Sequence, residues 1–290
     1  MKNKKVKDNI IYFIFTGGAM VVFLCFVIYP MLIGLRNSFT DYDGISLNVN
    51  WVGLKNYIAV FQNKDFLSSI SFTVRYTIVT IILSNVIGLA LALALNMKLK
   101  TQSILRGAFF TPMMIGAVTV GFLWRFIFTN FFPYLGDLFG IEMLKNNILT
   151  NATSTFWGIC FIEVWHGVGY MMLIYLAGLQ SVPADVLESA AIDGTNSWQR
   201  FRHITLPLIR SSCTICMFLT LVNGLKVFDL PYSLTSGGPY GSTQSIAYNI
   251  YMEAFSRGNY SLATAESFVF CIIVRIVALI QTKVMNGEED

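Results

Sequence analysis

Six apolar runs, each about as long as a bilayer is thick, constrain this chain more than any other feature. They cover approximately residues 10–35, 72–97, 107–128, 156–180, 211–228 and 260–282. A helix that crosses roughly 30 Å of hydrocarbon needs about 20 predominantly apolar residues. Strands of a membrane barrel would be shorter and would alternate in polarity, which these runs do not. The fifth run is the shortest and most polar. Composition agrees: 55% of residues are hydrophobic and only 12% charged, whereas a soluble domain carries about 25% charged residues. The expected fold class is therefore all-α, a polytopic bundle of six membrane helices.

The net charge of +4 raises the possibility of nucleic-acid binding. Such proteins cluster Lys and Arg on one exposed face, but here the basic residues punctuate the apolar runs. Their placement predicts orientation. The connections 1–9, 98–106, 181–210 and 283–290 hold eleven Lys and Arg in 56 residues, against five in 94 for 36–71, 129–155 and 229–259. By the positive-inside rule the first set is cytoplasmic, with both termini inside. The segment Lys2-Asn3-Lys4-Lys5-Val6-Lys7 is similar to the front of a signal peptide. The apolar run behind it is too long, however, and lacks a small-residue cleavage site before Arg36, so it is expected to be a retained anchor. The organisation expected is a tail over 1–9, a membrane domain over 10–283 and a tail over 284–290.

The five cysteines (Cys25, Cys160, Cys213, Cys216, Cys271) all fall in apolar stretches. Cys213 and Cys216 have C-x-x-C spacing. A metal site would need two further ligands, and the chain has only His166 and His203, so the thiols read as small buried hydrophobes.

The internal connection 181–210 is much longer than a helix hairpin requires. Pro183 suits a first helical position and Asp185 the positive end of a helix. Val186, Leu187, Ala190 and Ala191 form an apolar stripe. Gly194 stands where a helix ends, because a residue there often needs positive φ. Asn196 or Ser197 can cap a second short helix, with Trp198, Phe201 and Ile204 on one side and Arg200, Arg202 and His203 on another. Leu206-Pro207 then bends the chain into the fifth span. The result is a helix–Gly–helix elbow joined rigidly to that span. The alternative is an interfacial linker without a partner.

The residues Glu188-Ser189-Ala190, Asp193-Gly194, Phe201, Ile204 and Leu206-Pro207 resemble the EAA loop of binding-protein-dependent ABC-transporter permeases. Ser189 stands where the family usually has Ala. The resemblance extends over nearly the whole chain and points to the carbohydrate-importing, maltose/glycerol-3-phosphate permease-like branch. It is carried by Tyr29-Pro30, Ser38-Phe39-Thr40-Asp41-Tyr42, Val52-Gly53-Leu54-Lys55-Asn56-Tyr57, Pro112, Trp124, the run from Leu176 to Pro183, and Leu234-Thr235-Ser236-Gly237-Gly238-Pro239. The resemblance implies half of a translocation path for a sugar or oligosaccharide, or else a polyol or sugar phosphate, in a bacterial or archaeal cell membrane. It further implies a second, commonly different permease subunit, two copies of a cytoplasmic ATPase and an extracytoplasmic sugar-binding protein. Glu188, Ser189, Ala190, Asp193 and Gly194 would lie at the ATPase contact, with Leu206 and Pro207 linking it to the fifth span.

The chain has no G-x-x-x-x-G-K-[ST] loop, so ATP and Mg are expected on the partner ATPase and no cofactor on this chain. Gly167-Val168-Gly169 lacks the third glycine of a dinucleotide site, and Asn151-Ala152-Thr153 fits a glycosylation tripeptide. Polar groups at membrane depth mark pathways more often. Glu163 and His166, three apart, share a helix face. They suggest a general acid–base pair without a nucleophile or, alternatively, interhelical hydrogen bonds. Asn223, Lys226 and Asp229 follow one side of the fifth span, and Asn85 and Arg275 interrupt the second and sixth. Asn223 and Lys226, with Trp165 and Tyr170 as aromatic faces, are the candidates for the substrate path.

Overall fold

The computed structural model describes residues 13, 16–46, 48–97 and 100–286. The tail at 1–9, most of the start of the first apolar run, and residues 287–290 of the C-terminal tail lie outside the described residues. The fold is all-α. The helices that matter here are α1 (Thr16–Asn37), α2 (Lys55–Gln62), α3 (Lys64–Leu95), α4 (Gln102–Met114), α5 (Ala117–Phe139), α6 (Ala152–Gln180), α7 (Ala184–Ile192), α8 (Ser197–Leu208), α9 (Arg210–Leu225), α10 (Ile246–Tyr251) and α11 (Tyr260–Asn286). Four of them, α1, α3, α6 and α11, are long and apolar enough to cross a membrane unbroken. Two further helix pairs pass the same test only when taken together, and both are bent, α4 with α5 at 94° and α8 with α9 at 72°.

Both bends have local causes. Pro112 sits in the 3₁₀ turn that ends α4, and Ile115 and Gly116 behind it are extended (ψ 131° and 136°), so the helical ladder stops and restarts at Ala117. In α8 Pro207 cannot donate to a carbonyl one turn back. The chain widens into a π-turn over Phe201–Thr205 and breaks at Ile209.

The chain divides into two compact units, residues 1–63 with 250–270 and residues 64–249 with 271–290. In the first, Asn56 holds the loop after α1. Its Nδ2 donates to the carbonyls of Ser38 and Thr40 at 2.9 and 2.8 Å, while Phe39 stacks on Trp51 with centroids 5.4 Å apart. The Ser46 hydroxyl and the backbone N–H groups of Ser46 and Ile45 hold the Asp43 carboxyl down to about 2, so it stays ionised. On α11 Glu266 is fully buried and accepts from Asn63 Nδ2 at 2.9 Å.

In the second unit α3, α6 and α9 pack closely because small residues face neighbouring helices. A Cβ built on Gly88 falls 2.9 Å from Met171 Cβ, and one on Gly224 falls 3.0 Å from the Thr77 side chain. Polar side chains tie the same helices. Asn85 Nδ2 on α3 donates to Thr220 Oγ1 on α9 at 3.0 Å, and Tyr175 Oη on α6 donates to Asn85 Oδ1 at 2.7 Å. Asn85 thus interrupts an apolar run in order to join three helices. Asn85→Leu is expected to lower stability by about 1 kcal/mol, measurable as a lower Tm in detergent; an unchanged Tm would deny the network any structural weight.

Cys160 and Cys216 are buried as expected, and the Cys216 thiol donates to the Met171 carbonyl at 3.8 Å. Cys25 and Cys271 depart from that expectation and lie on exposed faces of α1 and α11. Lipid tails are as apolar as a protein core, so an apolar stretch in a membrane chain does not imply burial in protein. Arg275 is likewise exposed on α11.

Candidate functional site: a polar cleft and a capped elbow

The elbow between α6 and α9 is built from capping interactions. Pro183 stands one residue ahead of α7, at the N-cap. At the other end Gly194 has φ +76°, a conformation open to glycine and costly for other residues. With that turn made, Gly194 N–H donates to Ala191 O and Thr195 N–H to Ala190 O, both at 3.2 Å, which is the paired bonding of a Schellman motif. Asn196 then caps α8 in a reciprocal box with Gln199 (2.8 and 2.9 Å). Two helix ends are therefore satisfied within six residues, which makes the elbow a defined shape rather than a slack tether.

Glu188, Ser189, Asp193 and Gly194 are exposed on that elbow, Leu206 is half-buried and Pro207 is exposed. Ala190 is buried, and its carbonyl also accepts from Thr195 Oγ1 at 2.5 Å. Ile209, fully buried, anchors the corner between α8 and α9. The apolar stripe does not include Ile192, which is 87% exposed, one turn from Glu188 and next to Asp193. An apolar side chain on the polar side of a short helix was the available signal. Asp193, Gly194, Thr195, Gln199, His203 and Ile204 line a concavity of about 480 Å³ on the same elbow.

The second feature is a cleft of about 290 Å³ between α6, the end of α9 and the break between α4 and α5. Glu163, His166, Gly167 and Tyr170 recur at helical spacing, so one face of α6 forms its wall. Asn223, Lys226 and Asp229 form the opposite side. The helix α9 stops at Leu225, so Lys226 is the C-cap, a position where the helix dipole favours a cationic residue. Of the four path candidates, Tyr170, Asn223 and Lys226 come together here. Trp165 does not line the cleft; it packs edge-on against Trp124 with centroids 5.4 Å apart, within an aromatic core.

His166 Nε2 lies 2.9 Å from the Ile115 carbonyl. A carbonyl only accepts, so the imidazole nitrogen is the donor and the interhelical alternative applies to His166. A smaller polar chamber of about 30 Å³ adjoins the cleft, lined by Thr80, Ser84, Glu163, Thr220 and Asn223. That is room enough for at least one water, which needs about 10–15 Å³ on the same measure.

The two glycines discounted as a dinucleotide motif have different roles here. A Cβ on Gly167 meets nothing within 4 Å, so its missing side chain keeps the cleft open. A Cβ on Gly169 would strike the Phe109 carbonyl, so that glycine lets α4 approach. Asn151 caps α6, accepting from Thr153 N–H at 2.8 Å, which accounts for the Asn-Ala-Thr tripeptide structurally.

Residues 84–286 match the model of the family described as the inner membrane component of binding-protein-dependent transport systems. The chain is 36% identical over 288 residues to the probable starch degradation products transport system permease protein AmyD of Thermoanaerobacterium thermosulfurigenes, covering 99% of this chain and 98% of that one. It is 33% identical over 270 residues to the multiple sugar-binding transport system permease protein MsmF of Streptococcus mutans, covering 93% of each. Among solved structures, a chain of a bacterial ABC transporter involved in the import of the acidic polysaccharide alginate superposes with a TM-score of 0.86 at 21% identity, over 99% of both chains. With a family model matched over most of the chain and relatives similar along nearly its whole length, the chain belongs to the family of inner membrane components of binding-protein-dependent transport systems, as a permease subunit of an ABC importer rather than an enzyme.

Proposed function

We propose that the subunit supplies half of the translocation path for a sugar or oligosaccharide, and that the cleft along α6 is part of that path. The observation that carries this reading is the cleft's lining. Tyr170, Asn223, Lys226, Glu163 and Asp229 offer hydroxyl, amide, ammonium and carboxylate groups together, which is the chemistry that replaces water around a polyhydroxylated solute. Such groups are costly at membrane depth unless they face a water-filled path. The relatives that move starch degradation products and multiple sugars support the substrate class.

The rest of the machine follows from the same reading. The charge distribution supports both termini and the elbow on the cytoplasmic side. There the exposed face bearing Glu188, Ser189, Ile192, Asp193 and Gly194 would dock a cytoplasmic ATPase. Two ATPase copies, a second permease subunit and an extracytoplasmic sugar-binding protein would complete the importer, with ATP and Mg held by the ATPase. Closure of the ATPase pair would move the elbow, and Leu206, Pro207 and Ile209 would carry that movement into α9 and the cleft.

Gly167→Leu tests the path. Leucine is a better helix former than glycine and a Cβ here meets nothing within 4 Å, so the subunit should assemble normally. Its side chain would occupy the cleft and should cut sugar uptake by about tenfold or more. Normal uptake by assembled Gly167→Leu complexes would place the path elsewhere.

A further inference from the structure

We propose that His166 is a positioning residue that pins the break in the third span and so fixes the shape of the cleft; this rests on the cleft being the path. The break lies at Ile115–Gly116, between α4 and α5, where two consecutive residues are extended. The first ladder bond of α5 runs from Val120 N–H to Gly116 O at 3.0 Å, and the last bond of the 3₁₀ turn runs from Ile115 N–H to Pro112 O at 3.1 Å. The Ile115 carbonyl falls between these two ladders, and neither supplies it with a donor. His166 Nε2–H donates to it at 2.9 Å across 51 residues of sequence.

The position of this bond gives it mechanical weight. Met113 and Ala117, one on each side of the break, line the cleft together with His166. A single hydrogen bond thus ties the wall contributed by the third span to the wall contributed by α6. No hydrogen bond of either ladder crosses the break, where the two helices meet at 94°.

The two ring nitrogens allow a discriminating test. Glutamine places an N–H near the position of Nε2, asparagine near that of Nδ1, and leucine places none. In the assembled transporter with its binding protein, in liposomes, His166→Gln should leave KM for sugar uptake near the native value. His166→Asn and His166→Leu should raise KM by about tenfold, the expected effect of an unpaired carbonyl in the cleft wall. A second readout is thiol labelling of Ala117→Cys in a chain whose native cysteines are replaced. His166→Asn and His166→Leu should speed labelling there and His166→Gln should not.

Native KM and labelling in the Asn and Leu variants would overturn the proposal, as would a Gln variant that behaves like Leu. The path assignment is tested separately by whether sugar protects the Ala117→Cys thiol with His166 intact. Protection together with insensitivity to all three His166 variants would sink the pin and keep the path. Failure of protection would sink the path, and the pin with it.

Discussion

Gly169→Leu should leave almost no correctly assembled subunit. A Cβ at this position lands on the Phe109 carbonyl oxygen and carbon and 2.9 Å from Phe110 Cα. These are backbone atoms of α4, so no rotamer change relieves the collision, and α4 must move away from α6. Overpacking against movable side chains costs about 1–3 kcal/mol, and against backbone the cost should exceed that. Because net stability is only about 5–15 kcal/mol, a loss at this level lowers the amount of folded protein in the membrane severalfold or more. Even Gly169→Ala should be damaging, since alanine already carries the offending atom. Gly167→Ala, two residues away, should be silent because its Cβ meets nothing within 4 Å. Size-exclusion profiles of the tagged subunit in detergent would compare the two, and a monodisperse Gly169→Leu peak at native yield would refute the close approach of α4.

Gly194→Val should abolish coupling while the subunit still inserts and folds. Space is not the obstacle, because a Cβ on Gly194 has nothing within 4 Å. The obstacle is φ +76°, which costs an L-residue about 1–2 kcal/mol and a β-branched one more. Valine would escape by rotating to negative φ, and both Schellman bonds, from Gly194 and Thr195, would be lost with that rotation. The Asn196 cap and α8 would then leave α7 in another direction, taking the exposed face at Glu188, Ile192 and Asp193 out of register with its partner. Uptake and co-purification of the ATPase should both fall at least about tenfold, with Tm nearly unchanged. Gly194→Asn should retain much of the activity, because asparagine tolerates the left-handed region. Near-normal uptake and ATPase association in Gly194→Val would remove the coupling role from this elbow.

The two glycines at 167 and 169 show how much of the site is legible in sequence. As letters they are equivalent, and their spacing invites comparison with a cofactor motif that the chain does not contain. Their roles differ only because α4 crosses α6 at one and leaves the other facing a cavity. The same applies to Trp165 and Tyr170. Both are aromatic residues on one helix, yet Trp124 on another helix draws Trp165 into a core while Tyr170 is left at the cleft. By contrast Gly194, Asn196 and Pro207 were legible, because caps and breaks depend on residues within a few positions of one another.

The sequence by itself determined the membrane-spanning all-α class, the extra internal elbow and the chemistry of its turns. Hydrophobic length, local hydrogen bonding and backbone sterics act over one helix or one turn, and each is written in contiguous residues. Pro112 ends α4 locally, but tertiary structure alone decided which helix faces the break at Ile115–Gly116. It also decided that His166 closes that break, and that Glu163, Tyr170, Asn223 and Lys226 share one cleft. Those relations join residues more than fifty positions apart, and they depend on the rotation of each helix about its own axis. That rotation is set by small residues such as Gly88, Gly169 and Gly224 meeting their neighbours, since in lipid all sides of an apolar helix are nearly equivalent until another helix packs against one of them.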